Sequence, residues 1–157
     1  MSRRRGLRLV YTLGHSNRTI GEFMSLLKLY HIVHVVDVRR FPGSRRVPWF
    51  NKEVLRETLL SRGIGYTWLG DLLGGFRPGG YEAYMATEDY QRGINKLINI
   101  IESTSGPVAI MCRERYWRRC HRRFIANTLV YMGYQVVHII DADKAELHPP
   151  QLSSGED

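Results

Sequence analysis

Five short apolar runs punctuate this 157-residue chain, at 9–13, 32–38, 65–69, 108–111 and 135–140. They show little of the apolar–polar alternation of a strand with one wet face, so they read as strands buried on both sides. The segments between them have helical spacing. Thr19-x-x-Glu22 is a capping box, and Phe23, Leu26, Leu27 and Tyr30 follow at i, i+3, i+4 and i+7. Asn51 is expected to cap a helix to about Arg62, with Leu55 and Leu59 inward and Gly63 as its stop. Thr87 opens a helix with Ile94, Leu97, Ile98 and Ile101 on one side. Another is expected from about Arg119, with Phe124, Ile125, Leu129 and Met132 on one face, until Gly133. Strand and helix in alternation predict a single α/β domain over 1–143, a mainly parallel five-stranded sheet with helices on both faces. Residues 144–157, polar and containing Pro149-Pro150, are expected to be a partly disordered tail. No run approaches membrane-spanning length, and no long apolar stretch follows the basic MSRRRG start. A cytoplasmic protein with no signal peptide and no membrane partner is expected.

If the strands are parallel, the polar groups after each of them converge on one rim of the sheet, where open α/β sheets bind their ligands. His15 and Ser16 follow the first run, Asp37 and Arg39 the second, Trp68 and Asp71 the third, Cys112 and Glu114 the fourth. The stretch 108–125 is the densest. Its polar turn packs Cys112, Glu114, Cys120, His121 and six arginines around Tyr116 and Trp117. A solvated helix face accounts for Arg119 and Arg123. Two cysteines cannot build a disulfide framework, and reduced thiols are expected. The formal net charge is +8, and only Lys28, Lys52, Lys96 and Lys144 of the 23 basic residues are lysines. Guanidinium forks suit phosphates and base edges, so an anionic partner is expected, nucleic acid the commonest among them.

Several segments, in order, carry a family resemblance: Tyr11-Thr-Leu-Gly-His-Ser-Asn-Arg18, Val36-Asp-Val-Arg-Arg-Phe-Pro-Gly-Ser-Arg45, the Asn51-Lys52 helix start, Gly63-Ile-Gly-Tyr66, Gly74-Gly75, and Met111-Cys-x-Glu with Cys120-His-Arg122. The chain resembles the family catalogued as a domain of unknown function, number 488, from about Val10 to Ile140. It is similar to an archaeal branch associated with DNA glycosylase activity towards oxidised adenine. The resemblance thus implies a base-excising repair hydrolase with double-stranded DNA as its partner; the aromatic and basic spacer between Glu114 and Cys120 departs from the family's more usual acidic or neutral one.

A glycosylase needs a basic surface, stacking residues for an extruded nucleotide, and a group that stabilises an oxocarbenium-like sugar by charge or captures it with an amine. Arg40, Arg45, Arg46, Arg77, Arg115 and Arg118 are the expected backbone contacts. Trp49, Phe50, Tyr66, Trp68 and Trp117 are candidates for stacking, with His15, Ser16, Arg39, His121 and Arg122 completing the expected substrate site. Asp37 and Glu114 are the strand-end carboxylates, Lys52 the amine nearest a motif, and Cys112 the remaining reactive group. Each has a plainer reading. Asp37 equally suits an ion pair with its neighbouring arginines, one face of Tyr66 and Trp68 suits core, His121 suits a cap or pair, and His34 suits a satisfied core histidine. Two other functions stay open. Cys112-x5-Arg118 has the spacing of a cysteine phosphatase loop, although the intervening residues lack glycine. A non-catalytic nucleic-acid-binding module would use the same arginines and aromatics. Cys112, Cys120 and His121 lack compact zinc spacing, so no metal and no cofactor are expected. Oligomeric state is left open.

Overall fold

The computed structural model describes residues 8–151; the MSRRRG start and the last six residues of the expected tail lie outside them. The strands are β1 (Leu9–Gly14), β2 (His34–Asp37), β3 (Gly65–Trp68), β4 (Val108–Cys112), β5 (Gln135–Asp141) and β6 (Lys144–Leu147). The helices are α1 (Ile20–Leu29), α2 (Lys52–Ser61), α3 (Gly70–Leu73), α4 (Tyr81–Tyr84), α5 (Glu88–Ser103) and α6 (Arg122–Tyr131). The sheet runs β3-β2-β4-β1-β5-β6, parallel except for the β5–β6 pair.

All five residues of β4 are buried, which is why its sequence does not alternate. Ala109 and Met111 face a core built with Phe23, Leu27 and Leu55 of α1 and α2. Val108, Ile110 and Cys112 face the other core, with Ile94 and Leu97 of α5 and Ile125 and Leu129 of α6. Each fully buried Leu or Ile stabilises the fold by roughly 1.5–3 kcal/mol. The capping box forms as spaced: Thr19 Oγ1 accepts from the Glu22 N–H, and Glu22 Oε1 accepts from the Thr19 N–H.

Four features differ from the sequence reading. Residues 144–147 are not tail but an antiparallel edge strand, sealed by buried His148. Its side chains are mostly exposed, so backbone pairing holds it and no hydrophobic pattern marks it. The Asn51 side chain does not cap α2; its Oδ1 accepts from the Ser44 N–H at 2.7 Å and ties down the preceding loop. The helix expected from Arg119 starts at Arg122, because Trp117–Arg119 forms a 3₁₀ turn and Cys120 is extended. At its far end Met132 is exposed, and Ala126 takes a core place instead.

The chain leaves β1 through α1 on one face of the sheet and leaves β4 through α6 on the other. Those two strands are neighbours, so the connections part between them and open a crevice at their carboxyl ends. The two ends are also tied together: the His15 N–H donates to the Cys112 carbonyl (2.9 Å) and the Ser16 N–H to the Arg113 carbonyl (2.8 Å). A Cβ on Gly14 would stand 1.6 Å from the Glu114 carbonyl oxygen, so only glycine permits this approach.

Candidate functional site

The turn after β4 forms a ridge with a cleft on each side. The larger cleft holds about 560 Å³, with Cys112, Cys120 and His121 among its lining, Arg39, Arg40, Arg113 and Arg119 around it, and Phe41, Phe76 and Tyr81 as its aromatics. The smaller holds about 360 Å³ and is lined by His15, Ser16, Asn17, Ser44 and Arg46 together with Arg113 and Arg115. Glu114 borders both. Its side chain is exposed and has no ion pair among the described residues. A hollow of about 510 Å³ at the opposite rim, between α1 and Gly63, gathers no carboxylate or thiol.

Asp37 is placed very differently. It is fully buried and accepts four hydrogen bonds: from the Arg39 N–H (3.0 Å), Arg39 Nε (2.9 Å), Arg39 Nη2 (2.7 Å) and the Tyr66 hydroxyl (2.5 Å). Both oxygens are saturated, so the carboxylate has no lone pair to offer a substrate. Burial and the neighbouring carboxylate push the Tyr66 phenol well above its usual range, which keeps it a donor. Asp37 and Tyr66 are therefore structural here, and Arg39 is committed to them. Trp68 joins the same assembly by donating from Nε1 to the Arg39 carbonyl (2.8 Å). A Cβ on Gly70 would meet that carbonyl at 1.8 Å, so the glycine lets α3 close over the turn.

Lys52 does not reach either cleft. Its Nζ lies 4.0 Å from the centre of the Trp68 ring, a cation–π contact that holds the side chain against the indole face. No other lysine lines the clefts among the described residues. The expected stacking residues are elsewhere too. Phe50 is core, stacked on His15 with centroids 4.5 Å apart, and Trp49 donates its indole N–H to the Arg18 carbonyl. Trp117 is buried behind β5, stacked on His138 and donating to Glu146. The aromatic pair that does face the cleft is Phe41 and Phe76, with 61% and 83% of their surface exposed and rings 6.1 Å apart. Phe76 sits at φ 61°, a conformation unfavourable for a bulky residue and most often retained where a side chain must be presented. The sequence held one signal for the pair: two phenylalanines beside arginine and proline in loops at the rim.

Of the expected phosphate contacts, Arg45 is exposed, Arg40 and Arg46 border the clefts, and Arg115 does so while pairing with Asp141 at 2.7 Å. Arg77 is spent on its own loop, donating to the Gly74 and Asp71 carbonyls over the Tyr84 ring. Arg118 lies over Trp117 and pairs with Glu146, away from Cys112. The Cys112-x5-Arg118 spacing therefore builds no phosphate cradle.

Two buried groups at the crevice, His15 and Arg122, are incompletely satisfied, and the half-buried His121 stands with them. His15 Nδ1 donates to the Ser16 carbonyl (2.8 Å), which leaves Nε2 as a bare acceptor with no partner among the described residues. Burial lowers its pKa to about 4, so the ring is neutral. His121 donates from Nε2 to the Val38 carbonyl (3.0 Å) and turns the Nδ1 lone pair towards Cys120 Sγ at 3.6 Å; burial brings its pKa to about 4 as well. Both tautomers are assigned from these bonds. Arg122 is buried and donates from Nη2 to the Glu114 and Arg115 carbonyls, but Nε and Nη1 have no partner among the described residues.

Residues 19–129 match the family described as domain of unknown function DUF488. The chain belongs to that family. No curated protein and no solved structure matches it. The DUF488 match runs from the α1 cap almost to the end of α6, so it includes both flanks of the larger cleft and leaves out β1 with His15. Among the described residues no helix is long and apolar enough to cross a membrane.

Proposed function

We propose that this DUF488 protein is a DNA glycosylase, which draws a damaged base out of duplex DNA and cuts its N-glycosidic bond. One juxtaposition carries the reading. A cleft of nucleoside-binding size has arginines around it, two solvent-facing phenylalanines at its mouth and at its edge a carboxylate, Glu114, that has no ion pair among the described residues. Arg40, Arg45, Arg46, Arg113 and Arg119 hold phosphates on either side of the opened base pair. Phe41 and Phe76 stack the extruded base, each such contact stabilising it by about 1–3 kcal/mol. Glu114 faces the positive charge that develops on the sugar, or takes a proton from the attacking water, and the arginines offset negative charge on the departing base. With no lysine at the cleft among the described residues, base release proceeds without a Schiff base and the strand stays whole until alkali cleaves it. The preference for oxidised adenine such as 2-hydroxyadenine rests on the motif resemblance alone.

The test is a panel of lesion-bearing duplexes, followed with and without alkaline treatment. The expected result is base release from an oxidised-adenine duplex, with strand breaks only after alkali. Glu114→Gln should slow release by about a hundred-fold or more while leaving duplex affinity unchanged. If no lesion in the panel is released but duplex binding is tight, the protein is a non-catalytic binding module. If Glu114→Gln releases base at the parent rate, the assigned mechanism is wrong.

A further inference from the structure

The mechanism above makes no use of the two thiols at the cleft floor. Cys112 Sγ and Cys120 Sγ lie 2.8 Å apart and both line the cleft, although Cys112 itself is 1% exposed. Cys112 ends the central strand, and Cys120 stands two residues before the start of α6, where its sulfur accepts from the Arg122 backbone N–H at 3.4 Å. An independent observation bears on their charge. The Arg122 guanidinium is 1% exposed, two of its nitrogens have no partner, and no carboxylate pairs with it among the described residues. A buried, unpaired cation costs several kcal/mol unless an anion stands nearby.

We infer that Cys112 and Cys120 form a redox-active dithiol, with Arg122 as the counter-charge of the Cys112 thiolate, which small hydroperoxides oxidise to an intramolecular disulfide. The inference is independent of the glycosylase reading. Burial resists ionisation of Cys112, but the hydrogen bond from Cys120 and the charge of Arg122 bring its pKa down to about 7. Donating that bond holds Cys120 as the thiol, its pKa raised further by burial. The two groups titrate as a pair in which Cys112 loses its proton first.

Hydrogen peroxide, small enough to enter from the cleft, is the oxidant. The Cys112 thiolate attacks one peroxide oxygen, the O–O bond breaks, and hydroxide leaves and is protonated to water. Cys112 is now a sulfenic acid, two electrons having passed to the peroxide. Cys120 sulfur then attacks Cys112 sulfur; the S–S bond forms as the S–O bond breaks. The Cys120 proton, passed through the lone pair of His121 Nδ1, leaves with the hydroxyl as a second water. A disulfide bond is ~2.0 Å long, so the sulfurs need move less than 1 Å to close it. Closure would staple both ends of the segment that carries Glu114 and Arg119.

The reduced full-length protein is treated with a slight molar excess of hydrogen peroxide at neutral pH, alkylated, and read by intact mass and peptide mapping. The expected product is a monomer lighter by two hydrogens, with both thiols lost to alkylation together and both restored by dithiothreitol. Cys120→Ser should stop at the first step, giving a Cys112 sulfenic acid that dimedone labels; Cys112→Ser should leave Cys120 a thiol. Two alkylatable thiols after peroxide, a disulfide only between molecules, or over-oxidation of Cys112 without an S–S bond would each overturn the inference. The wild-type measurement decides this even if a variant fails to fold.

Discussion

The turns after β2 and β4 leave adjacent parallel strands at the same rim of the sheet, and each carries a carboxylate beside arginines. One is closed upon itself: Asp37 is fully buried and spends every lone pair on Arg39 and Tyr66. The other is open. Among the described residues Glu114 is exposed without an ion pair, and behind it lie two thiols and a guanidinium with unpartnered nitrogens. The difference separates two uses of the same chemistry. A saturated charge pair rigidifies the rim, whereas unsatisfied groups at a cleft are available to a ligand.

The sharpest way to break the comparison is to remove each carboxylate's charge and measure stability rather than activity. Asp37→Asn leaves Arg39 buried without its counter-charge and should destabilise the protein by about 3–5 kcal/mol. Glu114→Gln should change stability by less than about 0.5 kcal/mol, as exposed substitutions do. Urea unfolding with matched slopes reads both values. Equal losses at the two sites would mean that Glu114 has a structural role and the rim is not divided as described.

Acid should act on both sides of the rim through histidines. His15 and His121 stand at the clefts, and His138 and His148 form a buried chain: His138 accepts from Thr12 at Nδ1 (2.6 Å) and donates from Nε2 to His148 Nδ1 (2.8 Å), and His148 donates from Nε2 to Asn127 (2.6 Å). Burial lowers all four, to about 4 for His15, His121 and His148 and about 2 for His138. The unfolded chain takes up protons at about pH 6.5 while the folded chain refuses them, so stability is fully present above 6.5 and declines as pH falls. Each histidine steepens the decline by up to about 1.4 kcal/mol per pH unit between 6.5 and its folded pKa. Denaturation midpoints at pH 7, 6, 5 and 4 should therefore fall progressively faster than carboxylate titration alone predicts. A flat profile down to pH 5 would show that the histidines are not held neutral.

The period of the apolar residues was enough to read the alternation of elements, the parallel sheet and the rim on which chemistry collects, because burial on both faces writes itself into consecutive residues such as Val108, Ala109 and Ile110. Which rim groups would be left open was not legible. Asp37 and Glu114 look alike in sequence, and their roles part only because Tyr66, 29 residues further on, completes the shell of Asp37. Trp49, Phe50 and Trp117 attract attention as large aromatics, but their indole N–H groups and faces find partners inside the fold, and the exposed pair is formed by less conspicuous phenylalanines. The sixth strand escaped notice because an edge held by backbone bonds leaves no apolar pattern.

Lys52 gives a small but discriminating effect. It lies on the closed side of the rim, next to the Asp37–Tyr66–Trp68 assembly, and its ammonium rests on the Trp68 face rather than in either cleft. Lys52→Ala should therefore lower stability by only about 0.5–1 kcal/mol, the worth of a partly exposed cation–π contact. If base is released as proposed, the variant should release it at the parent rate, because no proton or electron pair passes through the amine. Borohydride added during turnover should trap no protein–DNA adduct in either protein. An adduct that maps to Lys52 and vanishes in the variant would reverse the comparison. The closed side would then hold the nucleophile, and the loop from Pro42 to Asn51 would have to swing to bring the amine to the anomeric carbon.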